Sequence, residues 1–217
     1  MARLRVGVLI SGRGSNLQAL IEAARDPAYP AELVTVVSNV PGAAGLARAA
    51  AAGIPADVVD HTTFSGRAPF EEALSAVLER AGVELVCMAG FMRIVTEGFI
   101  ARWHDRLINI HPSLLPAFPG LDTHARALAA GVRLAGCTVH FVRAEVDHGP
   151  IIGQAAVPVL PGDTAETLAA RVLEAEHRLF PHCLRLVAEG RVRVAGEVAE
   201  IAGAGRPGPA LINPPPE

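Results

Sequence analysis

The sequence predicts an α/β fold: a doubly wound, mostly parallel twisted sheet with helices on both faces. Apolar runs of strand length alternate with helix-like stretches through the first half of the chain, the pattern of successive βαβ units. One of these runs, "VELVCMAG" at 83–90, is apolar almost throughout, as a strand covered on both faces of a parallel sheet must be. Glycine closes the helical stretches, with Gly53 after one and Gly82 after another.

In chain order, "LRVGVLI" (4–10) reads as a strand, followed by the turn "SGRGSN" and a helix beginning near Ser15, with Gln18 at capping-box spacing. "ELVTVVSN" (32–39) is a second strand, "AAGLARAAAAG" (43–53) a helix and "ADVVD" (56–60) a third strand. A helix is expected from about Pro69 to Ala81, opened by a proline whose missing N–H costs nothing there. After the strand at 83–90, "LINIH" (107–111) continues the series. "CTVHFV" (137–142) and "PIIGQAAVPV" (150–159) read as two strands joined by the loop "RAEVDHG". Asp163 with Glu166 should cap a long helix whose apolar residues at 165, 168, 172, 175 and 179 recur at spacings of three and four. Pro181 is expected to kink or interrupt that helix. Residues 203–217, "GAGRPGPALINPPPE", are expected to form a loose tail.

A chain of 217 residues, 51% hydrophobic, can build one full core. Its net charge of −3 and pI near 6.2 carry no basic footprint for nucleic acid. All 19 basic residues are Arg, so any anion held by a cationic side chain other than His must be held by Arg. Residues 1–3 run straight into the first strand without an apolar signal or membrane segment. Cys87, Cys137 and Cys183 are widely spaced and show no metal-like pairing. A cytoplasmic, metal-free protein is the expectation.

Three stretches carry chemistry. "LISGRGSNLQ" sets Gly12 and Gly14 between strand and helix, either as a tight turn capped by Ser15 or as an anion cradle. It lacks the Lys of a Walker loop, and Leu17 stands where a dinucleotide fingerprint has its third glycine, so a single phosphate fits best. "AGFMRIV" (89–95) ends a central strand, where ligand crevices of open α/β sheets lie. "LINIHPSLLPAFPG" (107–120) places Asn109 and His111 on one face of a strand, ahead of a stiff proline-rich turn. Asp147, in "EVDHGPII", could stabilise the charged form of His111, making it an acid, while the Asn109 amide holds a developing oxyanion. Ser113 lacks the glycines of a nucleophile elbow, so the attacking group belongs to a substrate. A metal on His111, His140, His148 and Asp147 is disfavoured: no His pair has helical i, i+4 spacing and no Cys joins the group.

"ISGRGSNLQ", "AGFMRI", "NIHPSLLPAFPG" with "DTH", "GCTVHFV", "EVDHGPII" and "EAEH" occur in order over residues 4–190. With these motifs the chain resembles the phosphoribosylglycinamide formyltransferase family, folate-dependent enzymes of purine biosynthesis. The resemblance implies a modified Rossmann-like sheet in a single domain over 1–200, with a nucleotide half at about 1–105 and a folate half at about 106–200. It implies 10-formyltetrahydrofolate as formyl donor and glycinamide ribonucleotide as acceptor, in a monomer or homodimer. By matched motifs, Gly12, Arg13, Gly14, Ser15 and Asn16 would hold the ribonucleotide and Glu176 its glycinamide amine end. Arg67, Met92, Arg93, Ile94, Val95 and Asn109 would contact the folate, and Asn109, His111 and Asp147 would be catalytic. The Leu115–Pro116 bond could be cis. Two relatives share the trio: a tRNA formyltransferase, which would need a further basic domain, and a formyltetrahydrofolate hydrolase, which would carry a regulatory domain before the first strand.

Overall fold

A computed structural model describes residues 2–205, 208 and 211–213. The elements run β1 (Leu4–Ile10), α1 (Ser15–Ala24), β2 (Ala31–Ser38), α2 (Ala44–Ala51), β3 (Ala56–Val58), α3 (Arg67–Arg80), β4 (Leu85–Met88), α4 (Glu97–Arg102) and β5 (Leu107–His111). They continue with α5 (Thr123–Ala129), β6 (Leu134–Phe141), β7 (Ile151–Pro158), α6 (Ala165–Ala188), β8 (Val192–Ala195) and β9 (Val198–Ile201). The main sheet has the order β3-β2-β1-β4-β5-β6-β7. Its first five strands are parallel, while β6 runs against β5 and β7 against β6. The winding reverses between β1 and β4, so a crevice opens at the carboxyl ends of these strands. The loops there are stitched together: Ser11 N donates to Gly90 O (3.1 Å), and Met92 N donates to Ser11 Oγ (2.7 Å).

Strand alternation sorts the core into layers. Val6, Val8, Ile10, Cys87, Ile108 and Ile110 pack toward α1 and α6 on one face. Leu9, Val86, Met88 and Leu107 pack toward α3 and α4 on the other. A third cluster, with Cys137, Val157, Leu168 and Val172, closes the β6–β7 edge. Asn109 and His111 share the parity of Leu107, which fixes the face on which they emerge.

Several boundaries correct the sequence expectations. Ser15 does not cap α1; the N-cap is Gly14 in the left-handed region (φ 68°), and no side chain caps the helix. Gln18 instead donates to Glu22 and accepts from Arg48. At α6 the cap is Thr164, in a reciprocal box with Thr167, because Arg171 and the Leu160 amide claim the Asp163 carboxylate. That pairing holds the Asp163 carboxyl well below the usual range. Pro181 does not interrupt α6, which runs 24 residues through it. Phe180, Cys183 and Leu184 are fully buried around the proline and hold the helix to the sheet, and Tyr29 Oη donates to the Pro181 carbonyl (2.7 Å). Helices α4 and α5, six and seven residues long, are too short to show a period in sequence. The hairpin β8–β9 was also not anticipated. Of the tail, residues 206, 207, 209, 210 and 214–217 lie outside the described ones, while Asn213 donates to Arg133 O and Val159 O.

Candidate active site

Strand β5 delivers the first two groups. Ile108 and Ile110 are buried on the α1–α6 side, leaving Asn109 and His111 to point into the crevice side. His111 Nδ1 lies 3.3 Å from Asp147 Oδ1, with side chains only 7% and 12% exposed. Its Nε2 lies 3.1 Å from the Phe118 carbonyl. Both ring nitrogens therefore face oxygen acceptors, the Asp147 carboxylate at ion-pair distance and the Phe118 carbonyl within hydrogen-bond reach.

The backbone around this pair is unusual where the pair needs it. Asp147 and Phe118 adopt positive φ, 56° and 54°, a conformation non-glycine residues hold only when their surroundings impose it. Asp147 Oδ2 accepts from the Gly120 amide (2.7 Å), tying the 143–149 loop to the proline-rich turn. Gly149 is required: a Cβ there would lie 2.0 Å from the Phe141 carbonyl oxygen. Within the turn, Ser113 Oγ donates to Ala117 O (2.6 Å), and the Leu115–Pro116 bond is cis. Ser113 is thus a structural hydroxyl.

The sequence raises His140 only as a disfavoured metal ligand, not as a partner of Asn109. His140 sits opposite Asn109 in the β5–β6 register, a pairing visible only once the strands are aligned. Its Nδ1 donates to the Phe141 carbonyl (2.9 Å), which leaves Nε2 as an acceptor 3.4 Å from Asn109 Nδ2. Burial pushes the His140 pKa down, so the ring stays neutral and keeps that acceptor. One amide hydrogen of Asn109 is thereby directed at His140, leaving the other for a ligand.

A cavity of about 110 Å³ opens beside these groups, walled by Met88, Phe91, Ile94, Val95, Val142 and Val146 and edged by Asn109, His140, Asp147 and two arginines. Arg93 is one, with a buried Nε that has no partner among the described residues. Arg143 is the other, held by Asp105 (2.7 Å) and missed from sequence. Met92 is 63% exposed and Arg67 begins α3; neither lines this cavity.

The glycine loop lies across the switch point. The N–H groups of Ser15, Asn16 and Leu17 precede the first intrahelical bond, from Gln18 N to Gly14 O (3.0 Å), and so face outward for an anion. Gly14 is required twice over, by its left-handed φ and by Gly45, whose Cα would sit 2.7 Å from an added Cβ. Gly12 has nothing within 4 Å of its Cβ position, so its smallness leaves room for a ligand and not for the protein. Arg13 is exposed, and its carbonyl accepts from Arg48 Nε (2.9 Å). Asn16 Nδ2 donates to Glu176 Oε2 (2.6 Å), with both residues more than nine-tenths buried. Burial raises the Glu176 pKa, and the bond from Asn16 opposes that rise. Among the described residues, no three His, Cys, Asp or Glu side chains converge as metal ligands, and no helix is long and apolar enough to cross a membrane.

A glycine loop with unbonded helix N–H groups on one side of the switch point, and a buried amide, imidazole and carboxylate on the other, is the arrangement of an α/β group-transfer enzyme. A family model described as formyl transferase matches residues 4–184, and the chain belongs to that family. It is 54% identical to the trifunctional purine biosynthetic protein adenosine-3 of Gallus gallus over 92% of this chain and 20% of that protein. The chain thus spans about a fifth of that relative's length. It is 40% identical to the phosphoribosylglycinamide formyltransferase of Haemophilus influenzae, over 96% of this chain and 99% of the relative. The crystal structure of glycinamide ribonucleotide transformylase 1 from Symbiobacterium toebii superposes with a TM-score of 0.90 at 50% identity, over 92% of this chain and 94% of that one.

Proposed function

We infer that this chain transfers the formyl group of 10-formyltetrahydrofolate to the free amine of glycinamide ribonucleotide, in purine biosynthesis. The observation that carries the reading is the His111–Asp147 pair, 3.3 Å apart and nearly closed to solvent, beside a cavity of mixed apolar and polar lining that also holds Asn109. The flat folate enters that cavity past Ile94 and Val95, with Arg93 available to its polar parts, while Arg67 and Met92, outside the lining, meet the parts of the folate that project from it. The ribonucleotide lies across the switch point, its phosphate on residues 12–16 and its glycinamide end toward Glu176.

The amine nitrogen attacks the formyl carbon, and the carbonyl electrons move to its oxygen. The free amide hydrogen of Asn109 donates to that oxyanion, and cationic His111 stabilises it electrostatically. The bond from the formyl carbon to the folate nitrogen then breaks. The attacking amine gives up one proton and the leaving nitrogen takes one, a relay that water held by Asp147 serves, so no net proton is consumed. Attack by the substrate's own amine needs no protein nucleophile, consistent with the structural role of the Ser113 hydroxyl. Residues 1–200 act as one catalytic unit, as a monomer or homodimer in the cytoplasm, with small molecules as partners.

The test is a spectroscopic assay of folate release from 10-formyltetrahydrofolate, run with and without glycinamide ribonucleotide. Release only with the ribonucleotide supports transfer to its amine. Release in its absence makes water the attacker and the chain a hydrolase.

A further inference from the structure

A second cavity lies apart from the one beside His111. It measures about 510 Å³ and lies between α1, α2 and α6, lined by Ser15, Gln18, Glu22, Arg48, His177 and Pro181 among others. Ser15 belongs to the anion loop, so this cavity opens directly onto the α1 N-terminus.

Two nitrogen-rich side chains line this cavity from separate helices. Arg48, on α2, is laid across the loop: Nε donates to the Arg13 carbonyl (2.9 Å), Nη1 donates to Gln18 Oε1 (3.3 Å), and its Cδ lies beside Gly14. Those bonds fix the guanidinium plane and leave Nη2 outside them. His177, on α6, forms part of the wall, and among the described residues its buried Nε2 has no hydrogen-bond partner. A buried ring nitrogen without a partner costs stability unless a ligand supplies one. Burial pushes the His177 pKa down, Glu22 opposes that shift, and Arg48 is close enough to add to it. Helix N–H groups alone hold an anion weakly in water, and charge-assisted bonds from a fixed guanidinium are the stronger complement.

We propose that Arg48 and His177 are the outer half of the phosphate site, closing on the dianion opposite the α1 amides and selecting a phosphorylated substrate over the same glycinamide riboside. The inference rests on the ribonucleotide reading above. Arg48 supplies the permanent charge, and His177 supplies a directed donor from the one helix that also carries Glu176. The α6 helix therefore reads both ends of the substrate, Glu176 the amine end and His177 the phosphate.

The experiment compares kcat/KM for glycinamide ribonucleotide and for its enzymatically dephosphorylated riboside, in the wild type and in Arg48→Gln, Arg48→Lys and His177→Ala. The wild type should prefer the ribonucleotide. Arg48→Gln and His177→Ala should each lower kcat/KM for the ribonucleotide by about tenfold or more, as expected for losing a charge-assisted bond, with the riboside changed less than about twofold. Arg48→Lys should recover part of the preference. Equal losses on both substrates would mean a structural role for these residues, and unchanged preference would mean that they never touch phosphate; either overturns the proposal. A wild type that releases folate with neither substrate overturns the formyl-transfer reading itself.

Discussion

Asn16 and Glu176 stand 160 positions apart in the chain and 2.6 Å apart in the fold, joined by an amide-to-carboxylate hydrogen bond inside the protein. One opens α1 and the other sits in the middle of α6, so the bond locks the anion loop to the long C-terminal helix.

Glu176→Gln should separate stability from function. Burial raises the Glu176 pKa above the ordinary carboxyl value of 4.5, so the folded state retains this proton at a pH where the unfolded chain has lost it. Stability is therefore full below that value and declines as pH rises through the folded pKa. The Gln variant keeps an acceptor for Asn16 without a charge to bury. Thermal melts at neutral pH should show it more stable than the wild type, while its KM for the ribonucleotide rises. A Gln variant that melts lower would mean that the folded protein holds Glu176 as a well-paired carboxylate.

Asn109→Ala and His111→Ala should each lower kcat by about 10²–10³-fold, the usual loss when an oxyanion donor is removed. Folate affinity, followed by fluorescence titration, should survive, because the apolar walls of the cavity come from other strands and loops. Near-normal turnover in either variant would remove the assignment.

His140 gives a pH prediction of opposite sign. Burial lowers its pKa below the ordinary 6.5, so the unfolded chain binds a proton that the folded state refuses. Stability from this residue is present above 6.5 and is lost as pH falls toward the folded value. His140→Gln should flatten the dependence of the melting temperature on pH between about 7 and 5. It should also lower kcat by releasing the Asn109 amide, with little change in either KM.

The two loop glycines should respond differently to one methyl group. Gly14→Ala meets both the left-handed φ, a cost of about 1–2 kcal/mol, and the Cα of Gly45, so it should lower the melting temperature. Gly12→Ala meets no protein atom within 4 Å and should melt like the wild type while weakening ribonucleotide binding. Chemical denaturation paired with substrate titration distinguishes these; a Gly12→Ala variant with normal binding would place the phosphate elsewhere.

Local patterning determined much of this protein. The continuous apolar run before Gly90 marked a central parallel strand, period two put Asn109 and His111 on one face, and the glycines after β1 marked a turn into a helix. These signals are legible because each depends on neighbours only a few residues away. What the tertiary structure decided depends on groups distant in sequence. Gly14 takes the N-cap of α1 because α2 brings Gly45 against it, and α6 passes through Pro181 because buried neighbours hold it on both sides. His140 directs Asn109 only because an antiparallel register sets them opposite each other. Asn16 meets Glu176, and Arg48 meets the Arg13 carbonyl, through helix packing that no local spacing encodes. The chemistry was written in short motifs; the side chains that orient it came from contacts made when the sheet closed its layers.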